Sequence, residues 1–310
     1  MLAGTACSTT NLPLQSAPQL IVVAEQQLEE QQFHQALATL DPIVDLQCPK
    51  RLRDRRDLIT AQAFFGLGQP WQAFLELEEF SVLYPHSDLR SRAVDIIWNA
   101  GKVLFESDGG FLFFWSDKRA GRTVLEHLVT RHPDTQRLAD ALRILGDMAF
   151  ENGNYELAQE RYRDIIYSRP DSDWRFYAQF RLAMSLVASL RGADYDLSRM
   201  EQAAGHLREF LSSKPEGPKM VEAATQALTM VKQWQVQRHM DIADFYKTLN
   251  SIEGQRYHLQ LATSSEFEQA PGYEQAVERR QAFEAANPVG GAQVATTPVV
   301  DIKNAAGGQP

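Results

Sequence analysis

The sequence predicts an all-α, right-handed solenoid of stacked helical hairpins, and three observations carry that expectation. Prolines recur at Pro49, Pro85, Pro133, Pro170 and Pro215, at spacings of 36 to 48 residues. Three of them share nearly the same surroundings: Tyr84-Pro85-His86-Ser87-Asp88, His132-Pro133-Asp134-Thr135 and Arg169-Pro170-Asp171-Ser172-Asp173. Small residues precede these prolines at a fixed step of 12, as Ala61 and Ala73 before Pro85, Gly146 and Ala158 before Pro170, Gly121 before Pro133 and Ala203 before Pro215. Proline cannot continue a helix, since it lacks the N–H and restricts the residue before it. The Asp, Ser or Thr behind it can accept from the free N–H groups that open the next helix. Each unit therefore reads helix, turn, helix, stop.

Taken in order, residues 1–16 read as a leader and polar tether, and residues 17–286 as five to six hairpins. The first unit, 17–49, places Phe33 and Ala36 after its turn, and the second, 51–85, turns at Gly68-Gln69-Pro70-Trp71. The fourth, 134–170, is the most regular and turns at Asn152-Gly153-Asn154-Tyr155, with glycine where a helix C-terminus favours a left-handed residue. Units three and five are lengthened by insertions around Glu106–Lys118 and Arg191–Arg199. Beyond Pro215, Met220–Leu249 has no helix breaker and reads as one long helix, with a shorter one near Glu253–Ser264. Residues 287–310 are rich in Gly, Ala, Val, Thr and Pro, cannot bury an apolar face, and are expected to be a disordered tail.

A unit with small residues in both helices, an aromatic after the turn and a closing proline resembles the tetratricopeptide repeat. A narrower resemblance is to the BamD-like outer-membrane assembly lipoproteins. It is carried by Cys7 in a lipobox-like setting, by the Pro-Asp-Ser-like turns, and by Ala243-Asp244-Phe245-Tyr246 late in a long helix after the stretch Gln233–His239. An insertion bearing Tyr195-Asp196 also falls where that family lengthens a loop. The resemblance covers residues 17–268. It implies a lipid anchor at Cys7, an outer-membrane location on the periplasmic face, and docking through residues 171–268 to a BamA-like barrel assembly protein. The N-terminal groove is then left for unfolded barrel substrates. The competing expectation is a soluble periplasmic or cytoplasmic repeat adaptor that binds extended peptides in cell-envelope or division coordination.

Composition narrows the partners. The 310 residues are 44% apolar and carry 31 basic against 40 acidic side chains, a net charge of −9. That balance argues against nucleic acid, where Lys and Arg must neutralise phosphates. No apolar run approaches the roughly 18 residues of a spanning helix. Ser8 onward is a polar tether behind Cys7, although Gly4 stands where leucine is usual in a lipobox. Two cysteines, Cys7 and Cys48, cannot build a disulfide framework.

No metalloprotease pair, phosphate-binding glycine loop or nucleophile elbow is present, so neither catalysis nor a cofactor or metal is expected. The seven histidines are read as scattered over helix faces and turns, with His127 and His132 pointing to different sides of one helix. Three features remain as candidate contacts. The insertion Gly109–Asp117 carries Phe111, Phe113, Phe114 and Trp115, either a partner or membrane contact or a plug against neighbouring helices. Arg143 and Asp147 flank Gly146 and are expected to face the groove lined by the first helix of each unit. The basic run Lys50-Arg51-Leu52-Arg53-Asp54-Arg55-Arg56 reads as a solvated helix start compensated by Asp54 and Asp57, or as a contact for an acidic partner or lipid head groups.

Overall fold

The computed structural model describes residues 16–43, 48–107, 117–194 and 196–288. Among these the regular elements are helical throughout, as the repeat pattern predicts. The chain divides into two compact units, Met1–Ser189 and Leu190–Pro310. Cys7, Phe111, Phe113, Phe114, Trp115, Tyr195 and most of the C-terminal tail lie outside the described residues.

Unit one is a series of hairpins. Helices α1 (Ala17–Glu29) and α2 (Phe33–Leu40) pair, as do α3 (Lys50–Gly66) and α4 (Pro70–Leu77), the latter followed by the single turn α5 (Phe80–Leu83). Helices α6 (Arg90–Glu106) and α7 (Asp117–Arg131) form the third pair, and α8 (Leu138–Glu151) and α9 (Tyr155–Ser168) the fourth, with α10 (Arg175–Ser189) packed on α9. The small residues sit at the crossings: Ala61, Ala73 and Ala158 are fully buried. At Gly121 a methyl group would lie 2.4 Å from the Phe105 backbone nitrogen, so α6 and α7 meet backbone to backbone there. Phe74, Ile97, Leu125, Leu128 and Leu145, drawn from α4, α6, α7 and α8, share one core. Burial is what fixes these helices, since each such side chain contributes about 1.5–3 kcal/mol.

The turns inside the hairpins are alike in detail. Gly68 and Gly153 take left-handed φ values of 70° and 74°. In each the glycine N–H reaches back to Phe65 or Phe150, and the next N–H reaches the carbonyl of Phe64 or Ala149, so the last orphan carbonyls are satisfied. The same pair of hydrogen bonds closes α1, but with Gln31 at φ 59° in the glycine position.

The proline turns between hairpins also repeat. The N–H of Leu89 donates to Ser87 Oγ, that of Arg137 to Thr135 Oγ1 and that of Trp174 to Ser172 Oγ. This departs from the expected cap in one respect. The hydroxyls serve a turn just ahead of the helix, and the cap positions of α6 and α8 are Leu89 and Arg137, without side-chain cap bonds.

Unit two holds α11 (Leu197–Ser212), the 31-residue α12 (Pro218–Thr248), α13 (Ile252–Ala262), a 3₁₀ turn at Ser265–Phe267 and α14 (Tyr273–Ala286). The long helix and its shorter successor fall where the absence of breakers placed them. Gln235 of α12 donates to Glu201 of α11, whereas Ala243 packs with Leu259 of α13. The middle of α12 thus reaches α11 and its last turns serve α13.

Candidate functional site

Helix α8 presents Arg143 and Asp147 one turn apart, and the structure brings them together: Arg143 Nη1 donates to Asp147 Oδ2 at 3.0 Å. Gly146 between them has no side chain, so the Tyr162 ring of α9 lies against α8, where a methyl group would approach it to 2.8 Å. That packing sets the Tyr162 hydroxyl 2.7 Å from Asp147 Oδ1. From α10, the Tyr177 hydroxyl reaches the same oxygen at 2.7 Å. Arg181, also on α10, donates to Tyr162 Oη at 3.1 Å, stands 3.4 Å from Asp147 and lies 4.0 Å over the Phe150 ring.

Electrostatics follow from burial. Tyr162 is fully buried. Its hydroxyl is held protonated well above the ordinary tyrosine range, first by desolvation and then by its bond to Asp147. Tyr177 is pushed up to about 12 for the same two reasons. Arg143 spreads over the Trp174 indole at 4.4 Å, and the Trp174 N–H donates to Asp140 at 2.8 Å. Arg143 and Asp147 keep 27% and 19% side-chain exposure, so most of their surface is spent on α9 and α10. The cluster fastens three helices, and Tyr162, Trp174, Tyr177 and Arg181 were not legible as its members.

An open groove lies elsewhere in unit one, lined by α1, α3, the start of α2 and the start of α6. It has a volume of about 770 Å³. Leu28, Phe33, Leu58, Ile59 and Leu89 give it an apolar floor, with Glu29 and Arg92 at its sides. Arg55 and Glu25, also on its wall, form a two-pronged ion pair across α1 and α3. This draws in the basic run at the start of α3. Arg56 pairs with Asp57, and Arg53 donates to the Cys48 carbonyl. Within that run Arg56 is compensated locally, whereas Arg55 is spent on Glu25 of α1.

The histidines correct the sequence reading. His132 follows the last turn of α7 and folds back, so that its ring lies 5.7 Å from that of His127. His132 is 2% exposed and neither ring nitrogen has a partner. In unit two, His239 of α12 and His258 of α13 meet with their Nδ1 atoms 3.1 Å apart. Among the described residues no group of three or more metal-ligating side chains is found, and no helix is long and apolar enough to cross a membrane.

Residues 140–172 match the tetratricopeptide repeat family, spanning nearly all of α8 and α9 and the turn that closes them. No curated protein matches the chain. The repeat match and the all-helical hairpins support a tetratricopeptide-type architecture, whose usual role is protein–protein interaction.

Proposed function

We propose that this chain is a non-enzymatic, BamD-like scaffold lipoprotein in outer-membrane β-barrel assembly. The observation that carries the scaffold reading is the 770 Å³ groove, an apolar floor walled by two carboxylates, Glu25 and Glu29, and two guanidinium groups, Arg55 and Arg92. Such a surface suits an extended polypeptide, because apolar side chains find the floor while charged groups set its direction. In this reading the groove takes unfolded barrel segments. A BamA-like partner docks on unit two, where Phe245, Leu249, Ile252 and Tyr257 stand exposed around the α12–α13 turn. A lipid on Cys7 holds the scaffold at the periplasmic face of the outer membrane. Phe111, Phe113, Phe114 and Trp115 add a further partner contact, while Arg143 and Asp147 brace α8 against α9 and α10 outside the groove.

Rigid helical hairpins lose little ordering entropy on docking. Two measurements test the role. Affinity purification from detergent-solubilised membranes should recover a barrel protein with a periplasmic repeat domain. Recovery of soluble division or envelope proteins alone sinks the assembly role in favour of a peptide adaptor. Cys7→Ala, expressed with a complete export signal, should move the protein out of the membrane fraction; unchanged fractionation removes the anchor.

A further inference from the structure

Unit two contains a contact that neither the scaffold role nor the core requires. His239 leaves α12 and His258 leaves α13, and their Nδ1 atoms face each other at 3.1 Å with the rings tilted by 35°. Tyr246 of α12 stacks on His258 at 5.6 Å and 18°. The backbone closes against the same seam, because a methyl group at Gly254 would lie 2.4 Å from the Tyr246 ring. The two helices are therefore joined, toward their common turn, through Tyr246, His258 and His239.

We propose that the His239–His258 contact is an acid-opened latch, which holds α13 against α12 in neutral solution and releases it once both rings are protonated. A hydrogen bond between two Nδ1 atoms needs one ring as N–H donor and the other as lone-pair acceptor. A first added proton can go to Nε2 of the donor ring and leave the bond intact. A second has to take the acceptor's Nδ1, which removes the lone pair and sets two N–H groups face to face between two cations.

Among the described residues no carboxylate compensates the two rings. Glu201 of α11 is engaged by Arg208 and Gln235, and Glu266 of the 3₁₀ turn lies near Arg208. On α12, Asp241 accepts from Gln237, and Asp244 is paired with Arg279 of α14. Glu284 of α14 is paired with Arg280. Of the nearby cations, Arg256 of α13 donates to the Asn287 carbonyl. Neither Glu253 of α13 nor Arg238 of α12 acts on either ring: His239 is lowered to about 4 by burial and then by His258, and His258 is lowered by burial alone.

The sign follows from those directions. The opened hairpin takes up protons near the ordinary histidine value of about 6.5, whereas in the closed one His239 resists its proton until about pH 4 and His258 is also shifted down by burial. Opening therefore grows as pH falls through that window. The latch belongs to the hairpin itself and stands whatever docks there.

Hydrogen–deuterium exchange on the full chain, read at pH 7.5 and pH 5 and corrected for intrinsic rates, tests it. Protection of α13 amides should fall by about thirtyfold on acidification while α11 changes little. In His239→Gln the α13 loss should shrink to a few-fold, and in His258→Gln, which removes the second ring but leaves His239 buried, it should shrink by less. Equal α13 protection at both pH values overturns the latch. So does a fall of α11 in step with α13, which would mean global unfolding, or an undiminished loss in both variants.

Discussion

The hydroxyls of Tyr162 and Tyr177 share one acceptor, each donating across 2.7 Å to Oδ1 of Asp147. Because both tyrosines serve one carboxylate that also holds Arg143 and Arg181, they should behave as a unit. Tyr162→Phe should cost about 1–2 kcal/mol, since the acceptor is partly buried and loses one donor of several. The double variant with Tyr177→Phe should depart from additivity by about 0.5 kcal/mol or more in urea denaturation. Strict additivity would show two independent bonds.

Glycines on helices should split by what lies over them. Gly121→Ala places a methyl group 2.4 Å from the Phe105 nitrogen and 2.9 Å from the Gly101 carbonyl oxygen, neither of which can rotate away. A loss of about 1–3 kcal/mol is expected from overpacking, despite the helix propensity alanine adds. Gly205→Ala on α11 meets nothing within 4 Å and should gain up to about 1 kcal/mol. Thermal melts of the two variants should move in opposite directions.

At the α1–α2 turn the chain pays a conformational penalty that the Gly68 and Gly153 turns avoid. Gln31→Gly keeps the two turn hydrogen bonds and removes the Cβ from a residue at φ 59°. Stability should rise by about 1 kcal/mol. The reverse exchange, Gly68→Gln at φ 70°, should lower it by a similar amount.

Acid should weaken unit one through His132. Its folded value is lowered to about 4, by burial first and then by His127 and Arg90. The unfolded chain binds that proton near 6.5, so the stabilisation is whole above about pH 6.5 and is lost as pH falls toward 4. The full effect is on the order of 3 kcal/mol. His132→Leu should flatten the stability–pH slope across that window relative to the wild-type chain. An unchanged slope would place the acid sensitivity in other groups.

What the sequence disclosed and withheld divides along range of interaction. Gly68, Gly153, the proline turns and the small residues at 61, 73 and 158 act through neighbours within one hairpin, and their spacing could be read directly. Gln31 was missed because it occupies a glycine's conformation without being glycine. The histidine contacts were missed for two reasons: α7 ends at Arg131, so helical spacing no longer governs His132, and His239 and His258 lie on separate helices. The Asp147 cluster draws Tyr162 and Tyr177 from positions 15 and 30 residues away, so only the Arg143–Asp147 spacing was visible.

Helix α12 also has a mechanical meaning. At 1.5 Å per residue its 31 residues make a rod about 46 Å long. Just past its middle it is held to α11 through Gln235 and Glu201, its Thr248 end carries α13, and no proline or glycine interrupts the span after Pro218. Such a rod transmits angles rather than absorbing them. A tilt of about 5° imposed about Gln235 sweeps the Thr248 end, about 20 Å away, through roughly 2 Å, so a small strain at α11 becomes a displacement of the whole Phe245–Tyr257 tip.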